Sequence, residues 1–145
     1  MATCIFCAII AGRAPAHRVL EDEACVAFLD VRPLFPGHTL VVPRVHHETL
    51  QRIPWPELEP LVSNAQRLSR ALDEALGAEG TFVALNDRVS QSVPHLHVHV
   101  VPRRKGDGLR GFFWPRHKYA SEEDAEATAA KLRMALSAQS NAPPA

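Results

Sequence analysis

Ser90-Gln91-Ser92-Val93-Pro94-His95-Leu96-His97-Val98-His99-Val100-Val101-Pro102 is the stretch on which the reading of the fold turns. Three histidines alternate with Leu96, Val98 and Val100, and alternation over this length is the period of a strand with two unlike faces. The spacing predicts a β-strand with all three imidazoles on one face and the aliphatic residues in a core on the other. Histidine has weak strand propensity, and polar side chains occupy a strand face only where something satisfies them. Just upstream, Gln91 and Ser92 bring amide and hydroxyl groups, with backbone N–H groups, beside the imidazoles. Donors clustered in this way suit phosphate oxygens.

Outward from this stretch, Thr81-Phe82-Val83-Ala84-Leu85-Asn86 reads as a strand leading into the loop before the histidines. Before it comes the clearest helix. Pro54 and Pro56 flank Trp55, and Leu58, Leu61, Val62, Ala65, Leu68, Leu72, Ala75 and Leu76 recur at helical spacing until Gly77 stops them. Such a stripe is read as core packing on a sheet. Further strands are expected around Arg18-Val19-Leu20, over residues 24–29 ending at Asp30, and over residues 38–43. Residues 5–11 suit one or two helical turns ended by Gly12. Beyond Pro102 come a basic loop at 103–108 and an aromatic patch at 112–115. Ser121 with Asp124 then marks a capped helix running to about Ser137, with Ala125, Ala129, Leu132 and Leu136 as its packed face. Residues 1–138 are read as one domain and 139–145 as a disordered tail.

A chain of 145 residues suits a single core, and its 46% apolar content is enough to fill one. Sixteen basic residues balance sixteen acidic ones, so no global field favours nucleic acid or a membrane surface. There is no secretory n- and h-region pattern and no apolar run of membrane-spanning length, so a cytoplasmic protein is expected. Three cysteines, an odd number, argue against a disulfide framework. Strands on both sides of one long helix make α+β with a largely antiparallel sheet the economical architecture.

The segment His95-x-His97-x-His99-Val100-Val101 resembles the signature of the histidine triad (HIT) family. Gln91-Ser92-Val93 extends the likeness toward small bacterial HIT proteins, nucleoside phosphoramidases and dinucleoside polyphosphate hydrolases, and the resemblance runs from Cys4 to about Pro102. It implies an α+β, HIT-like fold: a mainly antiparallel five-stranded sheet with one long helix and a C-terminal helix, assembled as a homodimer.

An imidazole attacks phosphorus when one ring nitrogen is unprotonated and the other is fixed by a hydrogen bond. His97, flanked on its own face by two further histidines, is the position best oriented by neighbours, and the family's nucleophile falls there too. The resemblance implies that His99 positions the α-phosphate of a purine nucleotide and that His38 supports the triad. Gln91 and Ser92 are placed to bond phosphate oxygens, and the Ser92 hydroxyl to relay a proton to the leaving group. Asp30 matches the family's ribose-binding acid and Asn86 a polar nucleotide contact, while Phe6, Phe28 and Val31 suit an apolar base slot.

Cys4-x-x-Cys7 supplies two soft ligands at a spacing that zinc sites use. A four-ligand site needs two more, for which His46 and His95 are the candidates. This set resembles the structural zinc site of several bacterial HIT proteins and of the related galactose-1-phosphate uridylyltransferases, which implies one structural zinc per chain. A redox role for the pair would go with a βαβ pattern that is absent here. Cys25, in an apolar strand, is expected to be an inert buried thiol, and His17, His47 and His117 to be surface residues.

Two departures from the family pattern fall in one loop. Ser90 stands where glycine is usual, and the Asp87-Arg88-Val89-Ser90 connection is a residue or two short. The leading expectation is hydrolysis at the α-phosphate of a nucleoside phosphoramidate or acyl-adenylate through a nucleotidyl-histidine. The alternatives are a dinucleoside polyphosphate hydrolase, a nucleotidyltransferase, and a non-catalytic nucleotide-binding module stabilised by zinc.

Overall fold

Buried β-branched residues open the sheet at β2 (Cys25–Leu29) and β3 (Thr39–Pro43), whose side chains are nearly all shielded from solvent. The computed structural model describes residues 4–109 and 116–139, so the aromatic patch at 112–115 and the tail beyond Gln139 lie outside the described residues. In chain order the elements are α1 (Ile5–Ile10), β1 (Arg18–Glu21), β2, β3, α2 (Trp55–Leu76), β4 (Gly80–Ala84), β5 (Val98–Arg103) and α3 (Glu122–Ser137). The five strands form one sheet in the order β1-β2-β3-β5-β4, and every neighbouring pair is antiparallel. The fold is therefore the expected α+β arrangement, with five antiparallel strands, one long helix and a C-terminal helix.

Strand alternation divides the core into two clusters. Cys25, Ala27, Val41, Leu96, Val98 and Val100 face the α2 side and pack with Leu61, Ala65, Leu68 and Leu72 of that helix. Val26, Phe28, Leu40 and Val42 face the other way and meet Phe6 and Ile9 of α1. Pro54 is the N-cap of α2 and Pro56 lies in its first turn, where a missing N–H costs nothing, and Gly77 in the left-handed region, φ 64°, is the C-cap. Val62 and Leu76, read as part of its packed stripe, are instead exposed.

The histidine strand is shorter than its alternation suggests. Pairing begins at Val98, opposite Val41, and continuing that register would set Leu96 against Pro43. Proline has no N–H to donate, and the Pro43 carbonyl already accepts from the His95 ring at 2.8 Å. Leu96 instead donates its N–H to the His47 carbonyl at 2.7 Å. The residues keep their alternate faces without belonging to the ladder.

The described chain forms two compact units that divide after Lys105. In the second, Ser121 caps α3 by accepting the Asp124 N–H at 3.1 Å, as its sequence predicts, with Glu122 and Glu123 in the first turn. None of the α3 residues is buried, however, and the expected packed face of Ala125, Ala129, Leu132 and Leu136 leaves both leucines largely exposed. Two of those four positions are alanine, which brings little apolar area to a contact.

Candidate active site

On the α1 side of the sheet the imidazoles fall into two groups that meet at one residue. His97 donates its Nδ1–H to the His95 carbonyl at 2.7 Å, because a carbonyl can only accept. That bond leaves His97 Nε2 with a free lone pair. Phe6 packs edge-on to the His97 ring at 5.1 Å, and the His99 ring lies 5.0 Å away. A second chain of bonds fixes the other two rings. The Leu34 N–H donates to His38 Nδ1 at 3.0 Å, so His38 donates from Nε2 to His99 Nδ1 at 2.9 Å. His99 is thereby left with its proton on Nε2, a donor. An unprotonated nitrogen and a donor thus come from neighbouring histidines on one face.

Burial controls the charge of these rings. It holds His99 down to about 4, with His97 and His38 adding to the effect and Asp30 opposing it. His38 and His97 are likewise held below the ordinary imidazole range, chiefly by burial. Neutral imidazole is the form that can attack. The Asp30 carboxylate lies 3.7 Å from His38 Nε2 and accepts the Arg32 backbone N–H at 2.8 Å.

These residues open into a cavity of about 360 Å³, a size suited to a small-molecule ligand. Phe6, Phe28 and Val31 lie on its walls with Asp30, Ser92, His97 and His99, so most of the expected substrate contacts converge. Gln91 and Asn86 are not among its lining residues. Gln91 accepts the Arg88 N–H at 2.9 Å and donates to the Glu48 carbonyl at 2.6 Å, while Asn86 donates to the Ser90 carbonyl at 3.1 Å. Both brace the loop before the triad. That loop holds Arg88 at φ 72° and Ser90 at φ 61°, the left-handed conformation that a glycine at position 90 would adopt without strain.

The second group is Cys4, Cys7, His46 and His95, whose donor atoms lie within 4.8 Å of one another. His95 donates from Nε2 to Pro43, which leaves Nδ1 unprotonated and facing the two thiols at 3.4 and 3.5 Å. His46 Nδ1 is 3.3 Å from Cys7 Sγ. A tetrahedral zinc with bonds of about 2.3 Å to sulfur and about 2.0–2.1 Å to nitrogen separates S from N by about 3.5 Å. The donor set and its spacing fit such an ion. Cys4 also accepts the Cys7 N–H at 3.5 Å as the N-cap of α1, so the same residue starts the helix and offers a ligand. Cys25 is fully buried, and burial pushes its thiol up to about 11, as an inert core cysteine requires.

Sequence reasoning missed His47. Its ring bonds Glu57 in the first turn of α2 at 2.7 Å, and it is half-buried. It also missed Asn64, buried on α2, which donates to Asp22 at 2.8 Å. Asn64 stands three residues after Leu61 and four before Leu68, a polar residue in step with the apolar stripe, and that was the available signal. Burial raises the Asp22 carboxyl, but bonds from Asn64, Cys25 and Ala24, with Arg67 nearby, together hold it below the usual range.

Comparison with known proteins bears on this site. A family model described as the HIT domain matches residues 11–106. An uncharacterized HIT-like protein of Mycobacterium tuberculosis is 43% identical over 141 residues, which cover 94% of each chain. An adenylylsulfatase of Arabidopsis thaliana is 33% identical over 73% of this chain and 55% of its own length. An adenosine 5'-monophosphoramidase of Candida albicans is 32% identical over 79% of each chain. Among solved structures, a zinc-bound histidine triad family protein of Mycobacterium smegmatis superposes with a TM-score of 0.72 at 41% identity, over 94% of this chain and 98% of that one.

Proposed function

This chain belongs to the HIT domain family, and from that premise we propose that it hydrolyses nucleotides at the α-phosphate through a nucleotidyl-histidine. The observation that carries the reading is the His97–His95 bond, which leaves an unprotonated Nε2 at the wall of the cavity. In the first step His97 Nε2 attacks the α-phosphorus, forming a P–N bond as the bond to the leaving group breaks. Ser92, on the cavity wall, relays a proton to that group, and the His99 Nε2–H donates to a phosphate oxygen. Water then cleaves the P–N bond, its oxygen joining phosphorus and its proton returning to Ser92, which releases a nucleoside monophosphate and restores the imidazole. Asp30 accepts from the ribose hydroxyls, Phe6, Phe28 and Val31 hold the purine, and Gln91 and Asn86 act by fixing the loop that carries Ser92. The relative named for adenosine 5'-monophosphoramidase activity supports a nucleoside phosphoramidate, and the one named adenylylsulfatase a mixed anhydride of an adenylate, over a longer polyphosphate.

Zinc at Cys4, Cys7, His46 and His95 is the structural ion of this reading, supported by the donor geometry and by the zinc-bound relative. With four protein ligands it leaves no open position, and its contribution is to tie α1 to the triad stretch. A homodimer is part of the same reading. β4 is an outer strand with Val83 half-exposed, and with Trp55 and Val62 of α2 it borders an apolar groove of about 800 Å³. No helix among the described residues is long and apolar enough to cross a membrane.

The test is intact-mass spectrometry during turnover of adenosine 5'-phosphoramidate, quenched without acid because the P–N bond is acid-labile. An added nucleotidyl mass in the wild type, absent in His97→Ala, is the expected result. AMP release without any adduct, or an adduct that survives in His97→Ala, overturns the nucleophile assignment.

A further inference from the structure

The cavity walls carry little charge. Among the described residues lining it, Asp30 is the one carboxylate and Arg32 the one lysine or arginine; the rest are apolar, small or imidazole. Arg32 bonds Asp30 only through its backbone N–H, at 2.8 Å. No acidic side chain among the described residues pairs with its guanidinium, and Arg32 is an exposed member of the cavity lining. A free guanidinium presents five donors in a planar fork matched to phosphate or sulfate oxygens. The scissile phosphate already has His97, His99 and Ser92 beside it, so the fork is available to a different anion.

We propose that Arg32 is a specificity residue that favours nucleotides bearing a second oxyanion beyond the α-phosphate. Resting on the nucleotide reading above, the inference narrows the substrate class. The second oxyanion has two sources with the same chemistry. It is either the leaving group, as the sulfate of an adenylyl sulfate, or a phosphate on the ribose beside Asp30. The first source separates the two activities for which relatives are named, since sulfate is an anionic leaving group and the amine of a phosphoramidate is neutral.

Calorimetric binding separates the sources without requiring turnover. The ligands are AMP, ADP and adenosine 3',5'-bisphosphate, each titrated into wild-type protein, Arg32→Ala and Arg32→Lys. Because the bond to Asp30 uses the backbone, Arg32→Ala retains it, and circular dichroism checks the fold. The expected wild-type result is affinity about tenfold or more above that for AMP, for ADP if the anion belongs to the leaving group or for the bisphosphate if it belongs to the ribose. That preference falls to within about twofold in Arg32→Ala and survives in part in Arg32→Lys. A wild type without preference, or a preference unchanged in Arg32→Ala, overturns the inference while the nucleotide reading stands. Failure of the wild type to bind any of the three removes that reading, and the inference with it.

Discussion

The two faces of the sheet are made by the same alternating strand and covered very differently. On one side the 22-residue α2 lays Leu61, Ala65, Leu68 and Leu72 over Leu96, Val98 and Val100. On the other the six-residue α1 contributes Phe6 and Ile9, and the strand turns imidazoles toward it. A fully apolar face has nothing to bind with, and a fully polar one could not fold. Dividing the tasks at single-residue intervals lets the buried histidines sit in a low dielectric while the opposite face supplies the hydrophobic stabilisation.

That division is sharpest at two positions, and exchanging their effects would break it. His97→Ala is expected to lower kcat by on the order of 10⁴-fold or more, measured on adenosine 5'-phosphoramidate, while the denaturation midpoint moves little by comparison. Leu61→Ala, at a fully buried position of α2, is expected to cost about 2–5 kcal/mol by urea unfolding with the same turnover per folded molecule. A loss of turnover in Leu61→Ala at temperatures where it is fully folded would show that the two faces are not separable.

Acid should act through the histidine face. His99 titrates at about 4 in the folded chain, and an unfolded imidazole at about 6.5. The unfolded chain therefore takes up the proton first as pH falls. Stability is present in full above pH 6.5 and declines toward pH 4, by about 2–4 kcal/mol from this group. Unfolding curves at pH 7 and pH 4.5 measure the loss, and His99→Gln is expected to remove this group's share of it, the other buried histidines keeping theirs. A smaller effect belongs to the loop between the faces. Ser90→Gly removes a left-handed serine and is expected to stabilise by about 1 kcal/mol. An unchanged or lower midpoint would mean that the serine conformation is compensated by contacts of its own.

Periodicity made the two faces legible from residues alone. The alternation of 95–100 and the stripe of α2 are local patterns; the first placed its side chains on the correct side, and the second did so except at positions such as Val62 and Leu76. The Cys4-x-x-Cys7 pair was likewise a local signal, and the loop strain at Ser90 was visible as a serine in place of glycine. Bonds that join distant segments were not legible. Nothing near Gln91 announces that its amide will reach the Glu48 carbonyl, 43 residues earlier. His47 bonding Glu57 and Asn64 bonding Asp22 are of the same kind. The late start of β5 depended on Pro43 in another strand. A one-dimensional pattern fixes which face a residue takes, but its partner across the sheet depends on register and loop closure.

Those long separations bear on how the molecule assembles in time. The thiols of Cys4 and Cys7 meet the His95 ring across 91 and 88 residues, whereas β2 meets β3 and β4 meets β5 across short connections. Loop-closure entropy delays contacts of such range until the intervening chain is already ordered. The cysteine–histidine cluster is therefore expected to form after the rate-limiting step of folding, so that an ion held there would act on unfolding. In a denaturant-jump experiment, an ion held there is expected to slow the unfolding arm and leave the refolding arm where it was. Such an ion would lend the protein persistence, the length of time a finished site stays finished, and not the speed with which the chain finds it.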